Sequence, residues 1–152
     1  MRTAGIISEY NPFHRGHAWQ IGELRRRLGA ETAVVCAMSG SFVQRGDFAV
    51  MRTHARAEAA VRGGADLVLE LPLPWAIASA EGFAAGGVNI LSRLGCGFLS
   101  FGCESGDGDA ILRAAEASRS SEFEQTLHAN IQTGLSYAAA RQRALAALGA
   151  NG

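Results

Sequence analysis

Apolar and polar positions follow two rhythms along most of this chain. Short continuous apolar runs at Thr3–Ser8, Thr32–Met38 ("TAVVCAM"), Asp66–Leu71 ("DLVLEL") and Phe98–Gly102 read as buried strands. Between them apolar residues recur at helical spacing. Arg15–Leu28 puts Ala18, Ile21, Leu24 and Leu28 on one face and stops at Gly29. Thr53–Arg62 is a second helix, stopped by Gly63 and Gly64, and Ile77–Leu94 a third despite Gly82, Gly86 and Gly87. Pro72 and Pro74 end the third strand. After the fourth strand the texture is helical: Asp109–Ala117, Glu122–Thr133 and Tyr137–Leu148, with Ser121 and Glu124 as a capping box and Ser136 as an N-cap.

Continuous apolar strands separated by helices predict an α/β fold with a parallel sheet covered on both faces, followed by C-terminal helices. A length of 152 residues suits one domain. Residues 1–105 read as its core and 106–152 as a helical extension of the same domain. Ligands of such sheets bind outside the carboxyl ends of the strands. Three polar clusters stand there: "EYNPFHRGH" after the first strand, "SGSFVQRGD" after the second and "GCESGDGD" after the fourth.

Composition narrows the chemistry. The chain is 48% hydrophobic with a formal net charge of zero, so no global basic field steers nucleic acid toward it. All 14 basic residues are arginine. Without lysine there is no Schiff-base chemistry and no Walker A loop. Cys36, Cys96 and Cys103 lie in apolar runs and read as buried thiols of a cytosolic protein rather than metal or redox groups. No segment has the length of a membrane span and the N-terminus has no signal-peptide pattern, so a cytoplasmic location is expected.

The candidate chemistry centres on His14-Arg15-Gly16-His17. Residues three apart at a helix start share a face. Both imidazoles and the open N–H groups of the first turn then converge where the helix dipole favours an anion, and Gly16 leaves room for a phosphate. Such a site stabilises the charge that develops as pyrophosphate leaves a triphosphate. Zinc is the competing reading, but two histidines give only two ligands and no HExxH or CxxC completes them.

"EYNPFHRGH", "MSGSFVQRGD", "RAEAAVRGGADLVLELP" and "FGCESGD" resemble, in order and spacing, the bacterial tRNA(Met) cytidine acetate ligase family, part of the HxGH nucleotidylyltransferase superfamily. The resemblance covers nearly the whole chain. It implies a Rossmann-like, doubly wound sheet and an enzyme that uses ATP and acetate to make acetyl-adenylate. The acetyl group then goes to N4 of the wobble cytidine of elongator tRNA(Met). The family's ATP segment maps onto Ile7, Ser8, Glu9, Tyr10, Asn11, Pro12, Phe13, His14, Arg15, Gly16, His17, Ala18, Trp19 and Gln20, with both histidines toward the phosphates. Gly102 maps onto a further ATP contact, and Mg²⁺ is expected with the nucleotide. Family members are far longer, with later ATP contacts and tRNA-binding regions, so the chain is expected to be an N-terminal fragment. Two other readings stand beside this one: an adenylyltransferase with another small acceptor, and an ATP-binding module without chemistry.

Other polar positions carry paired readings. Arg45 suits catalysis, its planar fork matching acetate or a phosphate, or else it pairs with Asp47. Ser39 and Gln44 share its loop. Glu104 suits a ribose hydroxyl or an acetate or phosphate contact, whereas Asp107 and Asp109 suit helix capping. Glu9 fits a magnesium-bound water, a histidine or Arg56. Thr53 stands where the family commonly has lysine, with Arg52 and His54 beside it. His128 reads as an ordinary surface residue. Packing or loop anchoring is expected of Trp19, Phe42, Phe48 and Trp75, although Trp19, close after His17, is placed to flank a nucleotide. Ser118–Ser121 reads as helix capping.

Overall fold

The computed structural model describes residues 1–103 and 106–150, and of Arg45 the backbone alone. The chain forms two compact units, Met1–Phe101 and Gly102–Gly152.

The first unit is a four-stranded parallel sheet of order β3-β2-β1-β4, built from β1 (Thr3–Ser8), β2 (Ala33–Ser39), β3 (Leu67–Leu71) and β4 (Phe98–Ser100). Helix α1 (Arg15–Leu28) links β1 to β2 and α2 (Thr53–Arg62) links β2 to β3. The return to β4 runs through α3 (Leu73–Ala76) and α4 (Ala80–Arg93). Helices cover both faces. Ile21 and Leu24 of α1 and Ala60 of α2 pack with Ala4, Ile6, Val34, Cys36 and Met38 on one side. On the other, Leu91 packs with Val35 and Ala37, and Phe83 with Leu71 and Ala76. Each fully buried aliphatic side chain contributes about 1.5–3 kcal/mol. The sheet order reverses between β1 and β4, which makes the carboxyl end of β1 the switch point where α/β sheets bind ligands.

Several expectations need correction. The helical stretch expected over Ile77–Leu94 starts only at Ala80, capped by the Ser79 hydroxyl, which accepts from the Gly82 N–H. The prolines begin α3 instead of merely ending a strand: Pro72 is its N-cap and Pro74 lies in its first turn, where a missing N–H costs nothing. The glycines of α4 serve close approach. A Cβ on Gly86 would meet Trp75 at 2.5 Å and one on Gly87 would meet Ile7 at 2.6 Å. β4 ends at Ser100, and Phe98 and Leu99 stay exposed on this edge strand. Of the cysteines only Cys36 is buried; Cys96 is half-buried and Cys103 exposed.

Arg25 ties α1 to the start of β3. It donates to the carbonyls of Thr32 and Gly64 and pairs with Asp66 at 2.8 Å, while Asp66 also accepts the Val34 N–H at 2.7 Å.

The second unit is helical: α5 (Gly108–Ala117), α6 (Ser121–Gln132) and α7 (Tyr137–Ala147). Phe123, Leu127, Ala140, Ala144 and Leu145 form its core, with Ala114 and Ala117 of α5 against them. Asp107 and Ser136 cap their helices as the sequence indicates. The cap of α6 is Ser120 and not Ser121, because Ser120 keeps extended backbone and its hydroxyl accepts the Phe123 N–H at 3.1 Å. Among the described residues no helix is long and apolar enough to cross a membrane.

Candidate nucleotide site

The turn after β1 seats the histidines. Tyr10 adopts a left-handed backbone (φ 46°), and the Asn11–Pro12 bond is cis. The Tyr10 ring is buried in the core, where its hydroxyl lies 3.2 Å from the Cys36 sulfur. Burial, with the neighbouring thiol, pushes the phenol far above its ordinary range. Phe13 meets Tyr10 edge-on at 5.0 Å, and His17 rests against Tyr10 at 4.8 Å and Phe13 at 5.5 Å. Although Tyr10 lies in the segment expected to bind the nucleotide, its side chain is a floor beneath His17.

His14 is the N-cap of α1 and His17 its third helical residue, and together they close a capping box. Nδ1 of His14 accepts the Gly16 N–H at 3.1 Å, and Nδ1 of His17 accepts the His14 N–H at 3.2 Å. The rings stack with centroids 3.6 Å apart and planes 20° apart. With both Nδ1 atoms accepting, this hydrogen-bond pattern assigns the proton of each neutral ring to Nε2. Burial, and then the charge on His14, holds His17 below the ordinary histidine value.

This revises the expectation of open N–H groups at the helix start. The Gly16 N–H goes to the His14 ring, and those of His17 and Ala18 go to the His14 carbonyl. The helix keeps its dipole, and the donor left on each neutral imidazole is its Nε2–H. His14, Arg15 and Gly16 are exposed and His17 is half-buried.

Around this pair the other predicted residues divide. Glu9 accepts the Gln44 N–H at 2.8 Å, and Asn11 accepts the Val50 N–H at 2.7 Å, so the loop after β2 is pinned to the turn after β1. Gln20 reaches Ser100 of β4 at 3.1 Å. Ile7 packs against α4, and Ser8 and Ala18 are half-buried. Ser39 is 0% exposed and its hydroxyl has no hydrogen-bond partner among the described residues, so it presents nothing to a ligand at the surface. The Arg45 side chain and Glu104 lie outside the described residues. Gly102 is exposed and belongs to the second unit.

The aromatic expectation holds in part. Phe42 and Phe48 pair at 4.9 Å, and Trp75 packs on Gly86. Trp19, however, is 69% exposed and Phe48 76%, so neither is buried by packing. Pro12 is also exposed.

Sequence reasoning gave Arg56 only a passing role as a partner of Glu9. The structure buries it completely, at 0% exposure. It donates to the carbonyls of Met51, at 3.1 Å, of Glu9 and of Gly40. Burial lowers its pKa, opposed by the charges of Glu9 and Glu70. One signal was available: Arg56 stands four residues before the buried Ala60, on the inward face of α2.

Residues 1–151 match the family described as HIGH Nucleotidyl Transferase. The chain belongs to this family. The capping box of α1, His14-Arg15-Gly16-His17, has the His-x-Gly-His pattern. The chain is 44% identical over 148 residues to the tRNA(Met) cytidine acetate ligase of Acetivibrio thermocellus, covering 95% of this chain and 35% of that protein. It is 46% identical over 153 residues to the enzyme of the same name from Syntrophotalea carbinolica, covering 97% and 36%. A crystal structure of Thermotoga maritima TmcAL bound with alpha-thio ATP superposes with a TM-score of 0.87 at 39% identity, covering 95% of this chain and 36% of that one. The HIGH nucleotidyl transferase chain described here thus spans about a third of the length of the curated relatives it matches.

Proposed function

We propose that this HIGH nucleotidyl transferase chain is the ATP-binding, acetate-activating part of a tRNA(Met) cytidine acetate ligase, acting in the cytoplasm. The observation that carries the reading is the His14–His17 box at the sheet's switch point, in a chain that is 39% identical to a structure bound with alpha-thio ATP. A carboxylate oxygen of acetate attacks the α-phosphorus of ATP, and the bond to the β-phosphate oxygen breaks. Acetyl-adenylate forms and pyrophosphate leaves with the electron pair. The exocyclic N4 of the wobble cytidine of elongator tRNA(Met) then attacks the acetyl carbonyl, losing a proton as AMP departs.

The residues have distinct parts in this reading. The Nε2–H groups of His14 and His17 donate to the phosphates and stabilise the leaving pyrophosphate. Segment Ile7–Gln20 is assigned to the nucleotide, and Gly102 is assigned a further ATP contact. Arg45 is assigned the acetate carboxylate or a phosphate, its side-chain chemistry suiting either. Mg²⁺ would offset phosphate charge. Among the described residues no three His, Cys, Asp or Glu side chains converge to cage a metal, and the Glu9 carboxylate is engaged by Gln44. When bound with the nucleotide, Mg²⁺ would be held largely through the phosphates.

The test is ATP–pyrophosphate exchange with and without acetate. Exchange that requires acetate supports the reading. Exchange without acetate points to another acceptor, and ATP binding without exchange points to a binding module.

A further inference from the structure

Arg56 is a charged side chain with no exposed surface, and its three hydrogen bonds reach three separate stretches of backbone. Nε donates to the carbonyl of Met51 just before α2, Nη1 to Glu9 just after β1 and Nη2 to Gly40 just after β2. A planar guanidinium spreads its donors in this fixed fork, and no other side chain does. The charges of Glu9 and Glu70 offset the burial of its own.

The Glu9 carbonyl leads directly into the left-handed turn at Tyr10, whose ring is the floor under His17. Gly40 and Met51 begin and end the stretch that Gln44 and Val50 lace to Glu9 and Asn11. We propose that Arg56 is a positioning residue for the His14–His17 pair: by clamping these three carbonyls it fixes the Tyr10 seat on which His17 stands. The proposal deepens the reading of this site as nucleotide-binding, and its first readout needs no nucleotide.

The test is histidine-ring NMR on the chain and its Arg56→Lys variant across pH, followed by ATP titration. Lysine keeps the charge and loses the fork. The variant is expected to fold, with His17 moving up toward its ordinary value of 6.5 as its seat loosens. His128, in the second unit, serves as the unmoved control. ATP affinity is expected to fall about tenfold, equivalent to about 1.4 kcal/mol of binding. A merely structural arginine would lower the melting temperature and leave His17 titrating as in the parent, and that result overturns the proposal. If Arg56→Lys fails to fold, Arg56→Ala is titrated with ethylguanidinium and with ethylammonium. Recovery of the native His17 signal with the guanidinium alone supports the clamp, and recovery with neither overturns it. If His17 moves but the parent chain binds no ATP, the positioning role stands and the nucleotide reading falls.

Discussion

The rings of His14 and His17 stack 3.6 Å apart, and each uses Nδ1 to cap the backbone at the start of α1. One face of the pair thus builds the helix terminus while the Nε2–H edges remain for a ligand. Structure and chemistry are separable by mutation. His17→Ala removes one arm of the box, which costs about 1 kcal/mol, a typical cap. The fold is expected to survive, while acetate-dependent exchange falls about 100-fold or more, as when a donor to developing charge is lost. Thermal melting and the exchange assay check the two effects separately.

The same box makes stability sensitive to acid. His17 is held below its ordinary value of 6.5 by burial and by His14. The unfolded chain therefore takes up the proton first as pH falls. The stability tied to neutral His17 is fully present above about pH 6.5 and is lost as pH drops through the lower folded value. Protonation also turns its Nδ1 from acceptor into donor, facing the His14 N–H. The melting temperature should be level near neutrality and decline below it. His17→Gln, which accepts without titrating, should flatten that decline; an unchanged slope would remove His17 as its source.

Two glycines predict opposite outcomes. A Cβ on Gly63 would stand 2.3 Å from the Phe13 ring, which is packed against Tyr10 and His17. Gly63→Ala is expected to cost about 1–3 kcal/mol as that ring is displaced. Gly22, exposed within α1, has nothing within 4 Å of such a Cβ. Gly22→Ala should stabilise by about 0.5–1 kcal/mol through helix propensity. Denaturant melts of both variants decide.

Among the described residues nothing lies within 4 Å of a Cβ on Gly102, and its backbone is not left-handed. The fold has no need of glycine there. Gly102→Val should leave the melting temperature unchanged and weaken ATP binding, since the branched side chain blocks approach to the backbone. Equal ATP binding curves would take Gly102 out of the site.

Much of the arrangement was legible because period and punctuation agreed. β1, α1 and α2 have the ends that their apolar spacing and the glycines behind them indicate, and His14 and His17 fall at a helix start as their spacing requires. What was hidden depended on tertiary partners. The capping box consumes first-turn N–H groups because each ring turns back onto its own helix, a rotamer choice that no spacing reveals. Glycines that look like helix weakeners in α4 admit Trp75 and Ile7. Ser39 reads as a loop residue beside polar neighbours but belongs to β2, which is buried from Val34 onward. Arg56 looks like any helix arginine until the carbonyls of Glu9, Gly40 and Met51 are seen around it.

The most direct test of the central claim is a titration of ATP into this chain, followed at the ring nitrogens of its four histidines. The account predicts that Nε2 of His14 and His17 shift together on saturation, with Nδ1 of each still accepting and His128 unmoved. Saturable ATP binding that leaves both Nε2 resonances in place would contradict it.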